Sequence, residues 1–261
     1  VNQIVFTGSV PTGIAIATAA ARNVVPCVLE LGGKSAAIVH DDADLDAFET
    51  DVRWGIYFNA GQVCSAMSRV IAHESIHDEL VERMVGVAQS LTVKPGIDQP
   101  DFGPTMGAMV SEVQRDRAAE IVTAAQGEGA QVATGGRKMN IPGAFLEPTI
   151  VTGVTPDMTI ANEEVFGPVL SVLKFSSDTD AIKIANGTPY GLVGGVFTRN
   201  LDRATTAARK LRAGQVFVNE WYAGGVETPF GGYGKSGYGR EKGREALWNY
   251  VQTKNVAIKL G

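Results

Sequence analysis

The chain has 261 residues, of which 44% are hydrophobic and 20% are charged, and this composition predicts a globular protein with one large or two small domains. The formal net charge of −5 disfavours nucleic acid or an anionic membrane as a partner. No apolar run reaches the ~20 residues that span a bilayer. The only cysteines, Cys27 and Cys64, lack CxxC spacing, which argues against a disulfide framework or a thiolate zinc site and favours a cytoplasmic location.

Hydrophobic periodicity and turn residues predict strands and helices that alternate along the chain. Strands are predicted at 1–6, 24–29, 36–39, 68–72, 132–134, 169–175, 192–197, 216–219 and 254–260. Helices are predicted at 12–22, 45–59, 75–91 with Ser75 as the N-cap, 116–126, 180–186, 203–212 and 240–250. The Pro/Gly-rich segment 94–106 is predicted to be a loop. This alternation predicts an α/β fold with a mostly parallel sheet flanked by helices.

The most informative stretch is the Gly/Gln-rich segment FNAGQVC, which ends at Cys64. A cysteine thiolate attacks carbonyl groups, and the small or polar neighbours of Cys64 leave room for a substrate. Glu30 ends an apolar strand and precedes two glycines, where a carboxylate can act as a general base. Taken alone, Cys64 also fits a buried small side chain and Glu30 a solvated strand end. Cys27 lies within an apolar strand, so we interpret it as structural.

Together, FNAGQVC and the segment ELGGKS at 30–35 resemble the catalytic signatures of the NAD(P)-dependent aldehyde dehydrogenases. Three further segments extend the resemblance in the same order along the chain: FTGS at 6–9, EEVFGP at 163–168, and PFGG at 229–232 followed by KSG. They are similar to the family's cofactor turn, ribose-binding motif and late active-site loop. All five segments match the C-terminal half of the family. The resemblance therefore implies an oxidoreductase chain without the N-terminal half and most of its dinucleotide-binding domain.

The resemblance implies a role for each matching residue. Cys64 would add to an aldehyde, Glu30 would activate the water that hydrolyses the thioester, and Glu241 would take part in proton relay. Binding of NAD or NADP would involve Gly8, Ser9, Gly32, Glu164 and Phe166. The substrate tunnel would be lined by Val63, Ser65, Asn219, Trp221 and Phe230. The presence of Glu30 favours hydrolysis of the thioester over transfer of the acyl group to coenzyme A.

The same resemblance suggests three regions. Residues 1–32 would be a remnant of the Rossmann-like dinucleotide-binding domain, 33–250 the catalytic domain, and 251–261 a C-terminal oligomerisation strand. The last region has alternating apolar residues that expose a strand edge, which predicts a homo-oligomer. The expected partner is a small-molecule aldehyde, with neither nucleic acid nor membrane. Because the sequence begins with Val1 rather than Met, we expect that its true N-terminus has been lost.

Two other functions stay open at this point. The residues from His73 to His77 fit the HExxH pattern of zinc peptidases. That pattern needs both histidines on one helix face, whereas His73 is predicted to end a strand. The other alternative is a non-catalytic fragment that keeps the fold for structure or assembly. Stoichiometric zinc would support the peptidase, and failure to turn over an aldehyde with cofactor would support the non-catalytic fragment.

Overall fold

The structure is a computed structural model that describes residues 1–98 and 105–261. Its strands are β1 (Ile4–Thr7), β2 (Cys27–Glu30), β3 (Ala36–Val39), β4 (Arg69–His73), β5 (Thr92–Val93), β6 (Thr105–Met106), β7 (Gln131–Thr134), β8 (Thr149–Thr152), β9 (Val169–Phe175), β10 (Val193–Phe197), β11 (Gln215–Val218) and β12 (Gly237–Tyr238). Its helices are α1 (Val10–Ala21), α2 (Leu45–Tyr57), α3 (His77–Gln89), α4 (Glu112–Gly127), α5 (Thr159–Asn162), α6 (Asp178–Ala185) and α7 (Leu201–Lys210). Part of the predicted loop at 94–106, residues 99–104, lies outside the described residues.

A seven-stranded sheet forms the centre of the fold, in the order β11–β10–β3–β4–β9–β8–β7. Neighbouring strands are parallel except for the β7–β8 pair, which is antiparallel. Every residue of β3 is buried, as expected for a parallel strand covered on both faces. The predicted α/β fold with a mostly parallel sheet is therefore confirmed.

The strand order reverses beside β3. The chain passes from β3 to β4 on one side and later returns through β9 to β10 on the other side. Because parallel crossovers are right-handed, the helices of these two directions cover opposite faces: α2 packs with α3, and α6 packs with α7. Because β3, β4 and β9 are neighbouring parallel strands, the segments that precede them come together at one edge of the sheet, which we call the amino edge.

A smaller sheet has the order β1–β2–β12. The segment that follows β2 connects this sheet to β3 of the large sheet. Strands β1 and β2 are parallel and are joined by α1, whereas β12 pairs antiparallel with β2. In that pairing Gly237 lies opposite Glu30. The late segment around Gly237 is thereby brought back to the end of β2.

Helix α2 directs the chain to the segment that contains Cys64. Asp44 is its N-cap, since the Asp44 side chain accepts a hydrogen bond from the backbone N–H of Ala47. The helix ends at Tyr57 because Asn59 and Ala60, both with φ of 52°, take up the left-handed conformation. A 3-10 turn at Phe58–Gly61 then leads the chain to the amino edge.

The prediction that Ser75 caps α3 is wrong. The Ser75 hydroxyl lies 2.7 Å from Nδ1 of His73, and the helix begins two residues later at His77. The residue at the cap position, Ile76, makes no capping hydrogen bond through its side chain. The competing bond to His73 removes the oxygen that would have satisfied the first amides of the helix.

The C-terminal region also differs from the prediction. Instead of a helix at 240–250, the structure has a 3-10 helix at Glu245–Tyr250. The backbone of Glu241 forms a bridge with Phe230, and Lys242 has a positive φ of 56°, so the first predicted turn cannot form. Residues 251–261 are exposed and form no strand in the single chain. Their role in self-association stays a prediction. Within 1–98 and 105–261, no helix combines the length and apolar character that a membrane crossing requires.

Candidate active site

Three segments meet at the amino edge around the glycine pair Gly32–Gly33. A Cβ atom on Gly33 would lie 2.5 Å from the backbone oxygen of Cys64. A Cβ atom on Gly32 would overlap the carboxylate of Glu164. Glu30 lies just before this pair, at the end of β2. Only glycines permit so close an approach, so the glycine pair joins the three segments that carry Glu30, Cys64 and Glu164.

The Cys64 segment is bent against the segment that precedes β9. Gly61 has a positive φ of 71°, and a Cβ atom there would overlap the backbone of Gly167. The Cys64 side chain is half-buried. Burial raises the pKa of the Cys64 thiol, and the carboxylates of Glu164 and Glu30 raise it further. The thiol is therefore held in its protonated form until a base accepts its proton.

Glu30 is a buried carboxyl group at the same place. Its residue is 2% exposed, and neither carboxyl oxygen has a hydrogen-bond partner among the described residues. Burial raises the pKa of Glu30 to about 8, with a further increase from Glu241 and an opposing effect of Arg240. Such a group is mostly protonated at neutral pH and becomes a strong proton acceptor as the pH approaches 8, which suits a general base.

Glu241 and Phe230 lie on two short segments that face each other near Glu30. Their backbones exchange hydrogen bonds of 2.6 and 2.7 Å. Arg240, which the sequence analysis did not select, donates to the backbone oxygens of Gly232 and Gly239. Its position directly before Glu241 was the signal that could have identified it. The two residues act on Glu30 in opposite directions, and Glu241 has the larger effect.

Glu164 is held by the backbone that connects β2 to β3. Its Oε1 atom accepts a hydrogen bond of 3.0 Å from the N–H of Gly33. Burial raises the pKa of Glu164, while the Gly33 bond, Lys34 and Arg117 lower it. The following segment is fixed by Gln114, whose side-chain amide donates to the backbone oxygens of Val165 and Phe166.

The turn between β1 and α1 contains Gly8 and Ser9. Ser9 is the N-cap of α1, and its hydroxyl accepts a hydrogen bond of 3.4 Å from the N–H of Thr12. The N–H of Gly8 donates to the backbone oxygen of Glu30 at 3.0 Å. This bond connects the turn directly to the strand end that carries Glu30. The positive end of the helix dipole and the Ser9 hydroxyl at the exposed N-terminus of α1 suit an anion.

The residues predicted to line the substrate tunnel do not all come together. Val63 and Phe230 are partly buried and pack against the core. Trp221 is buried, and its indole N–H donates to the backbone oxygen of Ser65 at 3.2 Å. Asn219 differs, because its side-chain amide bonds the N–H and oxygen of Thr198, at the carboxyl end of β10. The lining role of these five residues stays a prediction.

Tyr222, which the sequence analysis did not select, lies near the thiol. Burial raises the Tyr222 pKa, and Cys64 raises it further. The phenolic hydroxyl donates to the backbone oxygen of Gly55 at 3.3 Å. The same helix anchors the preceding residue, since Asp51 accepts a hydrogen bond of 2.9 Å from the N–H of Trp221. Helix α2 thus positions an aromatic wall beside Cys64.

The two histidines of the HExxH pattern are engaged elsewhere. His73 ends β4 and contacts Ser75, as described above, and its ring packs edge-on against Phe175. His77 lies on α3, with Nδ1 2.6 Å from Asp78 and Nε2 3.4 Å from Thr152. In the part of the chain that the structure describes, no three His, Cys, Asp or Glu residues are grouped as metal ligands. The geometry gives no support to a zinc peptidase.

Comparisons with known proteins show the family and the fold. A model of the aldehyde dehydrogenase family matches residues 1–256. An aldehyde dehydrogenase of Davidiella tassiana is 46% identical, in a match that covers 100% of this chain and 52% of the relative. The structure of an NAD-dependent aldehyde dehydrogenase from Sinorhizobium meliloti is 42% identical, with a TM-score of 0.95, over 100% of this chain and 51% of that chain.

Betaine aldehyde dehydrogenase from Staphylococcus aureus, solved in complex with NAD⁺, is 38% identical with a TM-score of 0.91, and the match covers 96% of this chain and 50% of that chain. The chain therefore spans about half the length of the relatives it matches. The family model covers nearly all of its residues, and the chain belongs to the aldehyde dehydrogenase family.

Proposed function

We propose that this chain is the catalytic part of an enzyme that oxidises an aldehyde to a carboxylic acid with NAD or NADP, through a covalent bond to Cys64. The observation that carries the proposal is the meeting of Cys64, Glu30 and Glu164 around Gly32 and Gly33. The cluster supports the proposal because it combines a thiol, a carboxyl group with a raised pKa and a half-buried carboxylate, the groups that these roles require.

The first step is addition of the Cys64 sulfur to the aldehyde carbon. Because the pKa of the thiol is raised, its proton must pass to a base as the carbon–sulfur bond forms, and Glu30 is the candidate acceptor. The backbone amides of Ser65 and Cys64 oppose this increase and lower the pKa of the sulfur. They support the negative charge that develops as the proton leaves. The product is the oxyanion of a thiohemiacetal on Cys64, so that loss of hydride from it gives a neutral thioester.

Loss of hydride from that carbon leaves a thioester on Cys64. A bound nicotinamide cofactor would accept the hydride. Water then attacks the thioester carbon while Glu30 takes a proton from the water, and the carboxylic acid leaves as the Cys64 sulfur is released. Glu241, which raises the pKa of Glu30, would pass on the proton that Glu30 has accepted.

The residues present fit a nicotinamide dinucleotide. The N-terminus of α1 with Gly8 and Ser9 would hold the pyrophosphate, because the Ser9 hydroxyl and the helix dipole favour an anion. Glu164, fixed by the Gly33 N–H, would accept from ribose hydroxyls. Gly32 leaves room for that carboxylate, and Phe166, which has a positive φ of 51°, would pack nearby. The NAD⁺ bound to the S. aureus relative supports this assignment.

The proposal extends to the organisation of the molecule. We assign residues 1–32 to the cofactor-binding domain, 33–250 to the catalytic domain, and 251–261 to contact with a second copy of the chain. The exposed apolar residues Val256, Ile258 and Leu260 support the last assignment. The proposed assembly is a homo-oligomer, and the proposed substrate is a small aldehyde. The free thiols agree with a location in the cytoplasm.

The test is NADH formation with excess aldehyde and NAD⁺, with and without a separately expressed segment equivalent to the N-terminal half of the relatives. We expect little turnover from these residues alone. The relatives' N-terminal half would supply most of the cofactor domain and an oxyanion donor, and losing one such donor costs about 10²–10³ in rate. Addition of the segment should restore turnover, and mass spectrometry should detect an acyl group on Cys64.

Two results would contradict the proposal. One is absence of turnover in the reconstituted protein when Cys64 is reduced and intact, which would favour the non-catalytic alternative. The other is an acyl group on Cys27 rather than Cys64, which would show that the amino edge is not the reacting site.

A further inference from the structure

A buried hydroxyl group joins three segments of the chain at the amino edge. Ser236 is fully buried. Its hydroxyl donates to the backbone oxygen of Gly32 at 2.7 Å and accepts from the N–H of Gly191 at 3.0 Å. Gly32 precedes β3, Gly191 precedes β10, and Ser236 precedes β12. The roles proposed above give this side chain no task, although it satisfies two buried backbone groups at once.

The backbone at Ser236 also holds the strand end that carries Glu30. The N–H of Leu31 donates to the backbone oxygen of Ser236 at 3.0 Å. The next residue, Gly237, lies opposite Glu30 in the pairing of β12 with β2. Three consecutive residues, Glu30, Leu31 and Gly32, are therefore fixed by Ser236 and its neighbour.

The segment that ends at Ser236, residues 229–236, also covers the carboxyl group of Glu30, and we call it the late loop. A Cβ atom on Gly231 would lie 2.8 Å from Oε1 of Glu30. A Cβ atom on Gly232 would overlap the side chain of Ser236. The start of the late loop thus contacts the carboxyl group, and its end is tied to Gly32 by the Ser236 hydroxyl.

We propose that Ser236 is a positioning residue for the general base: its hydroxyl ties the late loop to Gly32 and so holds the Glu30 carboxyl group in place, away from water. The inference rests on the proposed function for the role of Glu30. Without the hydroxyl, the oxygen of Gly32 and the N–H of Gly191 would lose a buried partner. The late loop would then be free to move, and water would reach the carboxyl group.

The inference predicts which step of the reaction depends on Ser236. A general base must lie within hydrogen-bond reach of the water that it activates, so a displaced Glu30 should slow thioester hydrolysis more than the first turnover. The titratable and charged groups that face Glu30 are Glu241 and Arg240, which follow β12, and Cys64, which precedes β4. A substitution of Ser236 leaves all three in the protein.

The experiment compares Ser236→Ala with Thr149→Val in the complete enzyme. Thr149 is also fully buried, and its hydroxyl donates to the oxygen of Glu147 at 2.6 Å and accepts from the N–H of Gly136 at 2.8 Å. The control therefore loses the same pair of bonds without affecting the hold on Glu30. We expect Ser236→Ala to slow hydrolysis about 10- to 100-fold, the scale of a misplacement by about 1 Å, and to change the burst of NADH less. Thr149→Val should match the wild type.

The pH dependence of hydrolysis separates a positioning role from a loss of packing. In the wild type, hydrolysis should accelerate as the pH rises through about 8, where Glu30 loses its proton. Water that reaches the carboxyl group in Ser236→Ala stabilises its charged form, so the acceleration should shift to lower pH, toward the usual glutamate value of 4.5. A lower rate without this shift would overturn the proposal.

A double-mutant cycle with Glu30→Gln tests whether Ser236 acts through Glu30. We expect Ser236→Ala to add little to the effect of Glu30→Gln on hydrolysis. Additive effects of the two substitutions would contradict the proposal. If Ser236→Ala does not fold, Ser236→Cys takes its place, because a thiol is a weaker donor and acceptor. It should show the same shift to a smaller extent, and an unshifted profile would again overturn the proposal.

A further readout needs neither cofactor nor aldehyde. The N–H groups of Leu31 and Gly191 both bond to Ser236, so their hydrogen–deuterium exchange should be faster in Ser236→Ala and unchanged in Thr149→Val. Equal exchange in the two variants would contradict the inference. A wild type that forms neither NADH nor an acyl group on Cys64 would contradict the proposed function. A wild type that forms both, with Ser236→Ala behaving like Thr149→Val, would contradict this inference alone.

Discussion

The two edges of the seven-stranded sheet use charged residues in opposite ways. At the amino edge, burial raises the pKa values of Glu30, Cys64 and Glu164, and both Glu30 oxygens lack partners among the described residues. At the opposite edge, where β3 and β10 end, Arg203 donates to Asp41 at 2.7 Å. This bond holds the pKa of Asp41 below its usual value.

The difference shows that the groups with raised pKa values lie at the amino edge. Paired and partly exposed charges, such as Asp41 with Arg203, contribute little to stability and keep ordinary protonation states. Burying carboxyl and thiol groups near each other lowers the free energy of unfolding, but it leaves these groups able to exchange protons near neutral pH. Four sets of substitutions, with progressively smaller expected effects, can break or sharpen this comparison.

The largest effect should come from the nucleophile at the amino edge. We expect Cys64→Ala to lower aldehyde oxidation by the complete enzyme by about 10⁴-fold or more, because no other group can form the covalent bond. Cys27→Ala should retain most of the activity, since Cys27 lies within β2, away from the glycine pair. Steady-state rates measure both. Comparable losses in the two variants would contradict the assignment of Cys64.

Glu30→Gln should slow thioester hydrolysis by about 10²–10⁴-fold, the usual contribution of a general base. Hydride transfer comes earlier, so the first turnover should produce a burst of NADH that is less affected. In the wild type, hydrolysis should accelerate as the pH rises through about 8, where Glu30 loses its proton, and the variant should lack this acceleration. Rapid-mixing kinetics across this pH range measure both. An unchanged steady-state rate would contradict the role of Glu30.

Gly33→Ala should lower the free energy of unfolding by about 1–3 kcal/mol, because the new methyl group would lie 2.5 Å from the Cys64 backbone oxygen. Gly86→Ala is the control. Gly86 lies in α3, and a Cβ atom there would meet nothing within 4 Å. That variant should instead be stabilised by about 0.5–1 kcal/mol. Denaturant unfolding measures both, and a neutral Gly33→Ala would show that the segments are less closely packed than described.

The smallest effect is expected at the opposite edge. Arg203→Met removes contacts to Asp41 at 2.7 Å and Asp178 at 3.4 Å, yet it should cost less than about 1 kcal/mol. The lowered pKa of Asp41 stabilises the fold above the usual aspartate value, and this stability is lost as the pH falls. The variant should therefore show a weaker loss in acid. A larger loss of stability at neutral pH, measured in urea, would contradict the comparison.

Much of the large sheet could be predicted from the sequence. Strands β3, β4, β9 and β10 are apolar runs bounded by turn residues, as expected when both faces of a parallel strand are buried. The short elements β8 and α5 were not predicted, because their sequences TIVT and TIAN mix polar and apolar residues over four positions, whereas the equally short β3 is wholly apolar. The helix at 240–250 was predicted wrongly because the backbone of Glu241 pairs with Phe230, and the local pattern of residues 240–250 does not reveal this pairing.

The sequence by itself determined which chemical groups this protein carries: a cysteine in a Gly/Gln-rich segment, a glutamate before a glycine pair, and a second glutamate before β9. Only the tertiary structure decided their protonation states. The pKa of Glu30 depends on burial and on Glu241, 211 positions later in the chain, and that of Lys34 depends on burial, Arg69 and Glu164. Desolvation and charge act through space between segments that are far apart in the chain. The sequence therefore specifies which groups are present, and packing sets the pH at which each of them gains or loses its proton.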